Sequence, residues 1–360
     1  MTMRAWGMAA LAAISAGAMT TAAAEDEGRP VRLIGSMPSA EEALAKTFVL
    51  DLVVTKGEDA FKQTVEGWYA ALPPAVGSGE VSGTCVHNEC AIDVDLSDTK
   101  LSLSGDFTDA AVSSGRFAVA NDDVKVTAEG MVSYAPVSGA VPDVGVLAAP
   151  EAVGGAELKS LLEWSGIAVS MGNADPPQWP DDTEREALAG WQNSKGEPMT
   201  GLVTVSDLAE LRTGAETAKA DSGWTSLGGI QSGWTAGYPA RLLSKAEIGA
   251  FGQRFSSADG KAVLVITVLA PLSEDDFAAY ADKLGEDAPD RSEKSSTRIN
   301  GDLSLSYVEG DKQVTVVCHN RPGGLAQLTF TRPKDKEELW GAFDIILANS
   351  LIVTDDLKAQ

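Results

Sequence analysis

The chain has 360 residues, 44% hydrophobic and 22% charged, and its 52 acidic against 28 basic residues give a net charge of −24 at neutral pH. A field of that sign repels nucleic acid and anionic lipid, so neither is expected as a partner. Only two histidines occur, which restricts acid–base and metal chemistry near neutral pH, and no cofactor or metal site is expected.

The chain opens with Arg4, an apolar run from Ala5 to Ala18, and the small-residue segment Ala22-Ala23-Ala24. That order reads as a secretory signal peptide cleaved after Ala24, with Glu25-Asp26-Glu27 beginning the mature chain. The run is shorter than the roughly 18 to 20 residues that cross a bilayer, so no membrane insertion is expected. The first cysteine, Cys85, lies far from the cleavage point, which argues against a lipid anchor. A soluble periplasmic or secreted protein is the expectation. The length puts one core at the limit of ordinary size and points to two or three domains, of which two are assigned: residues 25–220, with a candidate sub-boundary near 135–156, and residues 232–360, joined by a linker over 221–231.

In chain order, Ser39-Ala-Glu-Glu42 has capping-box spacing and predicts a short helix, followed by a strand over Phe48 to Thr55. Phe61, Val65, Trp68, Tyr69 and Leu72 fall on one helical face that Pro73-Pro74 ends, so a second helix is predicted. From Glu80 to Tyr134 the period becomes two, as in Leu101/Leu103, Phe117/Val119, Val124/Val126 and Val132/Tyr134, the signature of an antiparallel meander. Within it Cys85 and Cys90 flank a tip at His87-Asn88 and predict a disulfide-clamped hairpin. Closing so short a loop contributes about 2 kcal/mol in the loop-entropy account. The spacing is not the Cys-x-x-Cys of thiol oxidoreductases, so the bond is read as structural. Asp93, Asp95 and Asp98 could gather oxygens for calcium, but Asp93 and Asp95 alternate with Ile92, Val94 and Leu96, the pattern of a strand's wet face.

Residues 135–156, rich in Pro, Gly, Ala and Val, read as a linker or edge loop. Next come a helix over Leu158 to Trp164, a strand over Ile167 to Ser170, a Pro-rich loop from Pro176 to Pro180 and a helix over Asp182 to Gln192. A strand at Leu202 to Val205 and a helix capped by Ser206 close the segment, which is placed against the first sheet. The last region opens with Gly237-Tyr238-Pro239 and a hairpin, Phe251 to Ser256 and Ala262 to Leu269, turned by Asp259-Gly260. A Ser273-capped helix carries Phe277, Tyr280 and Leu284 on one face. Strands over Leu303–Val308, Val314–His319 and Leu325–Thr331 follow, and a helix from Asp335 is expected to bury Leu339, Trp340, Phe343, Ile346 and Leu347.

The order of those last elements, with Tyr238-Pro239, Ser257-Ala-Asp-Gly260, Ile299-Asn-Gly301, the strand pair across Glu309-Gly310 and the closing helix, resembles the PsbP-like α-β-α sandwich family over residues 232–353. The resemblance implies a non-catalytic binding or assembly module and transfers no catalytic residue. The fold class expected for the whole chain is α+β, an antiparallel β-rich N-terminal domain with flanking helices followed by that sandwich.

Cys318-His319 would suit a thiol nucleophile with a base, but neighbouring strand residues point to opposite faces, and Cys318 shares a face with Val314 and Val316. A Gly-x-Ser-x-Gly elbow is absent, and no catalytic residue is assigned. Five tryptophans, Trp164, Trp179, Trp191, Trp224 and Trp234, crowd residues 164–234; Trp179, Trp191 and Trp224 are the candidate binding surface for a protein, peptide or glycan. The expected role is an exported binding or assembly factor of the envelope. The alternative is an envelope hydrolase using paired carboxylates.

Overall fold

The computed structural model describes residues 28–354 apart from 38–45, 58–60, 76, 88, 97–98, 109–110, 122–125, 168, 170–178, 230–232 and 250–251. The expected signal peptide, the expected helix at Ser39-Glu42 and most of the Pro176–Pro180 segment lie outside the described residues. The fold is α+β.

Strands β1 (Arg29–Ser36), β2 (Thr47–Lys56), β3 (Lys62–Ala71), β4 (Ser78–Val86), β5 (Glu89–Leu96), β6 (Thr99–Gly105), β7 (Ser113–Asn121) and β8 (Val126–Pro136) each pair antiparallel with the next. β8 returns to β1 through Leu33↔Pro136 to Ser36↔Ser133, closing the expected meander into an eight-stranded barrel without exposed edges. The period-two residues fill it: Leu33, Leu50, Leu52, Ile92, Leu101, Leu103 and Phe117 join Phe48, Tyr69, Phe107 and Tyr134 in one buried cluster. A barrel of eight strands is narrow enough for side chains to occupy its interior, and these do. Cys85 and Cys90 face each other across the β4–β5 hairpin, disulfide-bonded with Cα atoms 3.9 Å apart, inside that cluster. On the outer face Asp93 accepts a hydrogen bond from Ser102 at 2.7 Å and an ion pair from Lys100 at 3.0 Å.

The helix expected over Phe61 to Leu72 is instead β3. Val65, Tyr69 and Ala71 face the barrel interior, while Trp68, Ala70 and Leu72 face a second core outside it with Val141 and Leu202. A strand buried on both faces places apolar residues side by side, and Trp68-Tyr69 thereby imitates a helical step. Gly67 fixes the pairing, since a Cβ there would lie 2.3 Å from the Asp51 carbonyl oxygen.

After a small hairpin, β9 (Ala140–Val141) and β10 (Gly145–Val146), come α1 (Gly155–Trp164), α2 (Asp182–Ser194) and α3 (Val205–Ser222). Asp181 and Glu184 form a capping box on α2. For α3 the box is Thr204 with Asp207, so the cap is Thr204 and not Ser206. Leu202 to Val205 is no strand: Thr204 makes a single bridge to Leu147 before the helix starts. Ile167 and Val169 are likewise in no strand.

Residues 221–229, read as linker, are the last turn of α3 and strand β11 (Trp224–Gly229), which pairs with β12 (Trp234–Pro239). The main sheet of the last region has the order β13 (Lys245–Gly249), β14 (Gly252–Ser256), β15 (Val263–Leu269), β19 (Gly324–Pro333), β18 (Lys312–Arg321), β17 (Asp302–Glu309), β16 (Arg291–Ile299). Helix α4 (Glu274–Leu284) packs Phe277 and Ala281 on one face against Leu303, Leu305, Val316 and Cys318. Helix α5 (Glu337–Ser350) packs Trp340, Phe343, Ile346 and Leu347 on the other, against Leu264, Ile266, Leu328 and Phe330. The result is an α-β-α sandwich. Leu339, expected in its core, is 50% exposed. A final short strand, β20 (Ile352–Val353), pairs with β12.

The helices α1–α3 belong to both halves. Leu158, Leu162, Leu188 and Leu211 share one core with Phe330 and Phe343 of the sandwich. Toward the barrel, Trp68 Nε1 donates to the Thr200 carbonyl at 2.8 Å, and Arg185 of α2 reaches Asp51 of β2 at 2.9 Å. The first sheet is therefore only one of the two surfaces this segment covers.

Candidate functional site

Helix α4 covers only part of its sheet face. Thr331 of β19 pairs with Val314 on one side and Val263 on the other, and Val314 lies in the α4-side core. Alternation then places Val263, Thr331, Lys312 and Arg254 on that same face. At this end they remain uncovered and floor an open cleft of about 750 Å3.

Four basic side chains surround the cleft: Arg254 from β14, Lys261 from the turn before β15, Lys312 at the start of β18 and Lys334 just after β19. Asp311 and Asp335 are the two acids on its wall. The lining is thus net positive in a chain of charge −24, and the region 231–360 is the most evenly charged part of it, with 14 basic and 19 acidic residues.

The turns carrying these groups are fixed. Ser257 Oγ donates to Asp259 Oδ1 at 2.6 Å and the Lys261 amide donates to the same oxygen at 3.1 Å, with Gly260 at φ 73° between them. The Ser257 hydroxyl foremost, then the Lys261 amide, hold the Asp259 carboxyl below its ordinary value, so the anchor stays charged. The Lys334 amide donates to the Asp311 carbonyl at 2.8 Å, tying the β17–β18 turn to the end of β19. Arg254 is only loosely held, 4.0 Å from Glu247, and the Lys334 ammonium lies against Glu293. The site offers positive charge carried on fixed turns over an apolar and hydroxyl floor, which suits an anionic group.

The three candidate tryptophans are not gathered into one surface. Trp191 is 7% exposed, with the Lys195 ammonium 4.3 Å from its ring centre. Trp224 stands edge-on to Trp164 at 5.0 Å and stacks on Phe343 at 6.3 Å, where the helices meet the sandwich. Trp179 lines a small cavity of about 20 Å3 between the barrel and α2.

Cys318 and His319 diverge as strand geometry requires. Cys318 is fully buried beneath α4, and burial pushes its thiol up to about 12. His319 instead bonds Asp302 through Nδ1 at 2.8 Å, and Arg321 takes the same carboxylate at 2.7 Å. Burial would raise Asp302, but His319 and Arg321 outweigh it and hold that carboxyl below its usual range. The buried carboxyls that do influence each other are Glu163 of α1 and Glu184 of α2, each 5% exposed and each pushed up to about 7, foremost by burial. Asn349 of α5 donates to Glu163, and Glu184 is occupied by the α2 capping box.

Sequence reasoning missed the cleft because its four cations are spread from residue 254 to residue 334. The available signal was that three of them adjoin the turns at Asp259-Gly260, Gly310-Asp311 and Pro333, which one sheet end brings together.

No family model matches the chain, and no curated protein matches it. Among solved structures, it is similar to the solution structure of cyanobacterial PsbP (CyanoP) from Synechocystis sp. PCC 6803, at 13% identity and a TM-score of 0.27, over 36% of this chain and 92% of that one.

Proposed function

We propose that the chain is an exported, non-catalytic binding or assembly factor of the cell envelope, and that the cleft at the open end of the sandwich holds an acidic peptide segment of a protein partner. The observation that carries this reading is the cationic lining: Arg254, Lys261, Lys312 and Lys334 converge on one cleft of an otherwise strongly acidic protein. Lysines supply adaptable point charges, and the Val263–Thr331 floor supplies area for aliphatic stems. A lining of four cations around an apolar floor favours recognition of an anionic segment. Export is supported by the Arg4, Ala5–Ala18, Ala22–Ala24 pattern, and the Cys85–Cys90 bond suits an oxidising compartment.

Fluorescence anisotropy of a labelled glutamate-rich peptide tests this. Binding is expected at low salt, to weaken steeply with added salt, and to fall at least about tenfold in Lys261→Glu/Lys312→Glu, a loss worth about 1.4 kcal/mol. Equal binding by that double variant would reject the cleft as the site.

The hydrolase reading would fall to Glu163 and Glu184, the pair held near neutral titration. Their burial and their engagement by Asn349 and Asp181 favour a structural role.

A further inference from the structure

We infer that the junction between the barrel and α2 is a binding site for a single halide ion, held between Arg185 Nη1 and Trp179 Nε1. Two guanidiniums converge there on one carboxylate. Arg32 donates to Asp51 at 2.7 and 3.1 Å, and Arg185 donates to it at 2.9 Å. Asp51 and Arg185 are each only 6% exposed. One positive charge is therefore left uncompensated in a buried place, which is costly unless something pairs with it.

The hydrogen-bond inventory points the same way. Arg185 uses Nε on the Pro180 carbonyl at 3.1 Å and Nη2 on Asp51, but its Nη1 has no partner. Trp179 Nε1 has none either, and among the described residues these are the two buried side-chain polar atoms in that condition. Buried donors are almost always satisfied, so two orphans on one cavity mark a missing acceptor. Both residues line the same cavity of about 20 Å3, together with Arg32 and Asp51.

That volume admits one water or one monatomic ion and excludes phosphate, sulfate or a carboxylate ligand. The occupant must accept twice. Asp51 already accepts three guanidinium hydrogen bonds, Oδ1 one from Arg32 and Oδ2 one each from Arg32 and Arg185, so its single negative charge is shared between two cations. Leu52, Val53, Ala149, Val153 and Val203 on the remaining wall carry no charged side chain, so nothing else lining the cavity neutralises the second cation. A water would satisfy the donors and leave the charge; a halide satisfies both. Such an ion ties Trp179 to α2 in a cavity whose other wall is Arg32 of β1 and Asp51 of β2, so it stabilises the folded chain by mass action.

The test uses the whole mature protein. Crystals soaked in bromide should give an anomalous peak within hydrogen-bond reach of both nitrogens. The unfolding midpoint should rise saturably with chloride or bromide but not with gluconate at matched ionic strength. Trp179→Phe keeps a ring and removes the donor, and should abolish the peak and the saturable rise; Arg185→Gln should do the same if it folds. A water without anomalous signal in the cavity, an equal rise in gluconate, or an undiminished halide effect in Trp179→Phe would each overturn the inference.

Discussion

At the scale of single residues, the buried titratable groups act in opposite directions. Glu163 titrates at about 7 in the folded chain against an ordinary 4.5, chiefly through burial, so its stabilising contribution is complete with the proton on, below about 4.5, and declines as pH rises to about 7. Glu184 has the same sign. Asp51 has the other: burial would raise it, but Arg185 and Arg32 hold it down, and its contribution is present above the ordinary carboxyl value and lost as acid protonates it. Urea unfolding of the wild type at pH 5.5 and 8 should therefore show lower stability at pH 8, and Glu163→Gln should reduce that difference. Unchanged pH dependence in the variant would show that Glu163 is not the group responsible. Cys318 makes a second test. Its buried thiol should be silent to Ellman's reagent in the native state and titrate only in denaturant.

At the scale of elements, the places where the sequence was legible share a physical reason. The meander, α1, α2 and α4 each bury one face, so one period dominates their apolar residues. The Cys85–Cys90 hairpin was legible for the same reason, because its disulfide lies across neighbouring antiparallel positions. Replacing both cysteines by serine should lower stability by about 2 kcal/mol in denaturant titration. β3 was illegible because Trp68 and Tyr69 serve two cores, and no single period describes both. Trp68→Phe should cost about 1–2 kcal/mol by stranding the Thr200 carbonyl; a neutral effect would mean that the bond contributes nothing to the junction. β16 escaped notice because its residues, Arg-Ser-Glu-Lys-Ser-Ser-Thr-Arg-Ile, lie on the exposed edge of the main sheet and carry almost no apolar signal. Polar, charged edges of this kind discourage unwanted pairing with another chain.

At the scale of the whole molecule, α1–α3 join a barrel with its own filled interior to a sandwich whose core they share. The order of predicted strands and helices pointed to α+β and the alternation predicted the meander, but closure of that meander depended on β1, to which no element was assigned from the sequence. The cleft was invisible for a related reason: its cations acquire meaning only when β14, β15, β19 and β18 align their ends. The measurement that tests this account most directly is zero-length carbodiimide cross-linking of a glutamate-rich peptide to the native mature protein, read by mass spectrometry. Cross-links concentrated on Lys261, Lys312 and Lys334, and lost at high salt, are the predicted result. Cross-links spread over other lysines, or confined to them, would contradict it.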